Sequence, residues 1–159
     1  MDQLILDVFI GLRVTWLSPV IILFTQLTGP TLMFVYALVW GLLRKSATAP
    51  IAVGLANLIS HFLKRAFERP RPNTAEHLVV ETNFSFLSVH AVGVEACASA
   101  VLDSVVGWWE LTLWVIALLV GLSRLYVGVH WPSDVLAGWA IGALTSVVVF
   151  TSWNLLQRR

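Results

Sequence analysis

Four apolar runs without a charged side chain, residues 14–43, 46–63, 111–123 and 135–153, leave this chain few folds to choose from. Spanning a bilayer as a helix takes roughly 20 mainly apolar residues. Lipid offers the backbone no hydrogen-bond partners, so each span has to satisfy its own N–H and C=O groups, as a helix does. The rest of the chain does not dilute this signal: 58% of the 159 residues are hydrophobic and 12% charged, outside the usual soluble range on both counts. The sequence predicts an all-α integral membrane helical bundle, with residues 1–159 forming one membrane-embedded domain. Eight tryptophans suit interfacial belts. A formal charge of +1 leaves no electrostatic footprint for nucleic acid.

Residues 2–13 read as a short amphipathic helix with Leu4, Ile5, Val8 and Phe9 on one face. Residues 16–27 form a second short apolar segment, closed by Thr28-Gly29-Pro30. Both are expected to lie in the interface or partly re-enter it, with a single broken spanning element over residues 5–27 as the alternative. Five crossings follow, at about residues 31–43, 50–67, 87–107, 111–129 and 133–153, with a tight turn at Gly107-Trp108-Trp109-Glu110. Asn57, Ser60, His61 and Lys64 recur at helical spacing on the second crossing and should face the bundle interior, because polar groups facing lipid are costly. The third crossing carries Ala91, Gly93, Ala96, Ala98, Ser99 and Ala100, small enough for close helix approach. Its lone Cys97 reads as a small packing residue.

Three polar stretches interrupt the apolar pattern. The first is Lys64-Arg65-Ala66-Phe67-Glu68-Arg69-Pro70-Arg71-Pro72, whose four cations repel one another unless an anion offsets them. It opens the long loop 68–86, in which His77 is expected to be solvated. The second is Ser85-Phe86-Leu87-Ser88-Val89-His90, at a helix start where backbone N–H groups and the helix dipole favour an anion. The third runs from Ser123 to Asp134. Pro132 disfavours helix just before it, so one helix should end near Val129 and another begin near Ser133. Asp134 can then reach back to one nitrogen of His130, fix its tautomer and leave the other free to attack. Arg124 adds a planar cationic fork suited to phosphate or carboxylate. Because two crossings separate the loop from the third stretch, all three emerge on one side. Arg44-Lys45, the Gly107 turn and Arg158-Arg159 lie on the other, which the positive-inside bias makes cytoplasmic.

Lys64, six residues, then Arg71-Pro72; Ser88-x-His90; and Ser123-Arg124, five residues, His130, three residues, Asp134 resemble the three-part signature of the type 2 phosphatidic acid phosphatase superfamily. That superfamily also includes acid phosphatases and vanadium haloperoxidases, and the apolar flanks fit its membrane-embedded bacterial branch. The resemblance implies a metal-independent lipid phosphatase without a cofactor, multi-pass in a bacterial cytoplasmic membrane with its site facing outward. By that resemblance His130 is the nucleophile that becomes a phosphohistidine, Asp134 orients it, and His90 protonates the leaving group and then activates water. Lys64, Arg71, Ser88, the Val89 N–H and Arg124 would hold the phosphoryl oxygens. Such a pair of histidines implies a bell-shaped rate profile against pH. The implied partners are membrane lipids and a lipid phosphate substrate: undecaprenyl diphosphate, phosphatidylglycerol phosphate or phosphatidic acid.

The middle motif departs from the family's usual Pro-Ser-Gly-His, reading Leu87-Ser88-Val89-His90. Valine keeps the N–H but puts a branched side chain against the pocket. A weakened or silent member that binds lipid phosphate is therefore the alternative, and an anion transporter or channel is a third class. Glu95 lies two turns beyond Ser88 on the same helix face. As an intramembrane carboxylate it is a functional candidate, expected to pair with His61 or Lys64.

Overall fold

The computed structural model describes residues 1–102 and 108–158. Among these residues the chain forms seven α-helices and no strand. The helices are α1 (Asp2–Gly11), α2 (Ser18–Leu27), α3 (Pro30–Arg44), α4 (Thr48–Phe67), α5 (Val89–Leu102), α6 (Trp108–Tyr126) and α7 (Pro132–Gln157). A single 3₁₀ turn, Thr74–Glu76, lies in the loop between α4 and α5. Gly107 of the expected turn and Arg159 of the basic terminus lie outside the described residues.

Helix ends follow local chemistry. Pro30 and Pro132 sit in the first turns of α3 and α7, where a missing N–H costs nothing. Lys45 and Glu68 close α3 and α4 in the left-handed region, at φ 53° and 44°. The helix before the third polar stretch ends at Tyr126 rather than near Val129, because Gly128 takes φ 80° and opens a turn. The next begins at Pro132, one residue before the expected Ser133.

In the N-terminal region residues 16–27 run through a break bent by 52° into α3, and the α2–α3 pair is together long and apolar enough for a broken span or a re-entrant loop. By itself α7, with 26 residues, is long and apolar enough to span. In α1 the protein-facing residues are Leu6, Phe9 and Ile10, with Leu6 fully buried beside Ala91, Leu125 and Val135. Leu4, Ile5 and Val8 point outward, so α1 is apolar on two sides, one for the bundle and one for its surroundings.

The core is built from small side chains. Ala49, Ala52, Val53 and Ala56 of α4 meet Val92, Ala96 and Ala100 of α5 in one buried cluster. The closest seam joins α5 to α7. A Cβ on Gly142 would lie 2.6 Å from the Val92 carbonyl oxygen, and one on Gly138 2.8 Å from that of Ser88. Ser146 reinforces the seam by donating to the Ala96 carbonyl at 3.0 Å. Large apolar side chains instead face out, among them Leu118 and Leu119 on α6 and Leu144, Val147 and Val148 on α7. Lipid is the solvent that such a surface suits.

Packing on α7 also disposes of the expected Glu95 pairing. The α5 face that carries Ser88 and Glu95 turns to the α7 glycines, with the Glu95 Cβ 2.8 Å from where a Gly142 Cβ would stand. Glu95 accepts a hydrogen bond from Ser99 at 3.0 Å, while Lys64 is held elsewhere, by loop carbonyls. The α5–α7 seam should tolerate no added bulk. Gly142→Val is expected to cost about 1–3 kcal/mol, as overpacked cores do, and to lower the melting temperature of the detergent-solubilised protein; an unchanged melting curve would contradict the seam.

Candidate active site

Four parts of the chain bring the polar residues together. The last turn of α4 supplies Lys64, and the loop to α5 supplies Arg69, Arg71, Glu81, Asn83 and Ser85. The first turn of α5 supplies Val89 and His90. From the end of α6 through the start of α7 come Arg124, His130 and Asp134. Of the eight residues expected at the site, Lys64, Arg71, Val89, His90 and His130 line one cavity of about 230 Å³.

His130 is 2% exposed, with Nε2 turned to Arg71 Nη1 at 3.3 Å. Its Nδ1 lies 3.6 Å from Asp134 Oδ2, the expected neighbour but beyond hydrogen-bond range, and that nitrogen is buried without a partner. Burial, followed by the cations Arg124, Arg71 and Lys64, holds the ring's pKa well below the ordinary imidazole range, so it is neutral at neutral pH. Asp134 is fully buried and densely held. It accepts from Arg69 Nη1 at 2.6 Å, from the Trp131 N–H at 3.0 Å and from the Ser85 hydroxyl. Through the Trp131 contact it caps α7, and the Arg69 guanidinium lies over the Trp131 ring at 5.5 Å.

The cations are already engaged. Lys64 Nζ donates to the Phe84 carbonyl at 2.6 Å. Arg71 donates to the Val129 carbonyl at 2.6 Å, to the Asn83 carbonyl at 2.7 Å and to Asn83 Oδ1 at 2.5 Å. Glu81 lies between two of the expected phosphate ligands, accepting from Arg124 Nη2 at 2.5 Å and from Arg71 Nη2 at 3.4 Å. This is the anion that the crowded cations call for, and it comes from the loop itself.

Arg124 and Ser88 depart from expectation. Arg124 lines a second cavity of about 410 Å³ beside Thr25 and Gln26, not the one that holds His130. Glu81 and His90 border both cavities and so form the partition between them. Ser88 lines neither: its N–H donates to the Asp134 carbonyl at 3.1 Å, and its fully buried hydroxyl has no partner. The close α5–α7 approach draws Ser88 towards α7. His77, expected to be solvated, is half-buried with Nε2 shielded from water; burial and Arg71 push its pKa down. His90 borders the break between α2 and α3, where a Cβ on Gly29 would lie 3.7 Å from its Nε2.

Sequence reasoning missed Glu81, Asn83 and Ser85 and left Arg69 without a role. A buried guanidinium seeks a carboxylate, but the loop carries Glu68, Glu76 and Glu81, and no local pattern picks Glu81 among them. Nothing in the spacing marks Asn83 or Ser85.

Comparison with known proteins bears on the family and the fold. The PAP2 superfamily model matches residues 45–158. The chain is 32% identical to phosphatidylglycerophosphatase B of Bacillus subtilis (strain 168), over 93% of this chain and 81% of that protein. It is also 32% identical to undecaprenyl-diphosphatase BcrC of the same strain, over 65% of this chain and 56% of that protein. Among solved structures, the transmembrane PAP2 type phosphatidylglycerolphosphate phosphatase from Bacillus subtilis superposes with a TM-score of 0.84 at 28% identity. That match covers 96% of this chain and 84% of the other.

Because Glu81 competes for both guanidinium groups, Glu81→Gln should bind inorganic phosphate more tightly, by about tenfold for a loss of roughly 1.4 kcal/mol of competing interaction. Titration calorimetry of the solubilised protein reads this directly; equal or weaker binding would show that Glu81 does not compete.

Proposed function

Because this chain belongs to the PAP2 superfamily and its relatives are lipid phosphatases, we propose that it hydrolyses a lipid phosphate monoester or diphosphate through a phosphohistidine, with no metal. The observation that carries the reading is that His90, His130, Lys64 and Arg71 face one cavity. His130 Nε2 attacks phosphorus as the bond from phosphorus to the leaving oxygen breaks, and His90 gives that oxygen its proton. The His130 ring carries the resulting positive charge, with Asp134 beside its Nδ1. In the second half-reaction His90 takes a proton from water, the water oxygen bonds to phosphorus, and the phosphorus–nitrogen bond breaks to release inorganic phosphate. Lys64 and Arg71 stabilise the nonbridging oxygens throughout, which gives the reaction its electrophilic assistance without a metal ion. Arg124 joins them once Glu81 moves aside. Ser88 serves by tying the start of α5 to Asp134 rather than by touching phosphate.

The substrate's tails lie in the bilayer against the exposed apolar helix faces, with its phosphate in the polar cavity. Phosphatidylglycerol phosphate, undecaprenyl diphosphate and phosphatidic acid share that form. The chain crosses a bacterial cytoplasmic membrane several times with the site on the outer face; this placement is supported by the basic Arg44-Lys45 and Arg158 at the ends opposite the loop. One observation favours a second reading, a silent binder of lipid phosphate: the branched Val89 side chain borders the cavity where the family usually has glycine.

A phosphate-release panel over the three lipids decides between these readings. Turnover of at least one lipid is expected, lost by a factor of about 10³ or more in His130→Ala. No release from any lipid, together with release by Val89→Gly, would select the silent binder. For the active chain, a neutral His130 places the acid limb of kcat/KM against pH below the ordinary imidazole value of about 6.5. Lys64→Gln removes one of the cations that depress this pKa and should move the limb to higher pH; a limb that moves the other way would contradict the assignment.

A further inference from the structure

Asp2, at the start of α1, reaches the catalytic end of the bundle. Its Oδ2 accepts from Arg69 Nη2 at 2.7 Å and from the Ser133 hydroxyl at 2.5 Å, and its Oδ1 accepts from the Ser133 N–H at 3.2 Å. The other arm of the same guanidinium, Arg69 Nη1, donates to Asp134 Oδ1 at 2.6 Å and to the Ser133 hydroxyl at 2.7 Å. One cation is thus shared between two carboxylates, and the set of three keeps one net negative charge. If Arg69 served Asp134 alone, the planar fork would close on it in a bidentate pair and cancel that charge. Asp134 faces His130 Nδ1, which is where a phosphohistidine's positive charge needs it.

We propose that Asp2 is a positioning residue for the reaction: it holds Arg69 between two carboxylates, so that Asp134 keeps its negative charge towards His130. The inference rests on the phosphatase reading for its effect on rate, but its effect on the imidazole does not depend on turnover. His130 is surrounded by Lys64 from α4, Arg71 and Glu81 from the loop, His90 from α5, Arg124 from α6 and Asp134 from α7. Arg69 and Asp2 act on it through Asp134. Asp7, on the same helix, bonds only Gln3 among the described contacts and supplies a control.

The test follows the His130 ring by NMR in the full chain in micelles, with ring-labelled histidine and His130→Gln for assignment. Asp2→Asn keeps an oxygen for the Ser133 N–H while removing the charge and the second oxygen that accepts from Arg69 and the Ser133 hydroxyl. It should lower the His130 titration midpoint by about half a pH unit or more, the order expected for one partly screened charge. Arg69→Gln should raise it, and the double variant should return close to the parent, because the set again carries one negative charge. An Asp2→Asn midpoint equal to that of Asp7→Asn, or single shifts that fail to cancel in the double variant, would overturn the proposal. With a lipid substrate, Asp2→Asn should lower kcat about tenfold and leave KM within about twofold; a loss confined to KM would also overturn it. A parent that releases no phosphate would refute the phosphatase reading, while the titration would still decide the role of Asp2.

Discussion

The buried carboxylate of Asp134 is the constraint around which the site is assembled. A charge with no access to water is costly unless it is fully hydrogen-bonded and paired. Asp134 meets that condition by drawing on both ends of the loop, Arg69 and Ser85, whose backbones are themselves joined by the Ser85 N–H to the Arg69 carbonyl at 2.8 Å, and on the Trp131 N–H at the head of its own helix. Its backbone carbonyl also accepts the Ser88 N–H. One side chain thus fixes the register of the loop, α5 and α7 at the point where their histidines meet. The 3.6 Å separation from His130 leaves a gap that a change in ring charge or tilt can close.

The cations obey the same rule. Lys64, Arg71 and Arg124 are buried or nearly so, and the loop holds them with carbonyls, an amide and the Glu81 carboxylate. The polar loop is therefore part of the cradle as much as its cover. A phosphate in this site would replace neutral oxygens and one carboxylate as the partners of these cations. The apolar exterior imposes the complementary condition: helices with large residues outside and small residues inside close on one another through alanine and glycine.

Much of this was legible in the sequence for reasons that can be stated. The helices and their order follow from the length of the apolar runs and from proline and glycine at their ends. The three polar stretches carry a signature whose spacing reflects two helix termini and a turn. The interior placement of Asn57 and Lys64 follows from helical period. What was not legible depends on rotation and depth. Ser88 and Glu95 share a helix face, as expected, but which neighbour that face meets is set by Gly138 and Gly142, fifty or so residues away. The burial of Leu6 was missed because α1 is apolar on two sides and periodicity alone could not choose the inner one. Glu81 was missed because no local pattern says which anion will neutralise a distant arginine.

The break between α2 and α3 touches the chemistry through Gly29. Gln26 and His90 crowd that position, with the Gln26 carbonyl 3.2 Å and the imidazole 3.7 Å from where a Cβ would stand. The joint between two short apolar helices is thus also a wall against which the His90 ring rests. Straightening the pair would carry that wall away, so the angle between two helices and the freedom of one imidazole are set by the same hydrogen atom on a glycine.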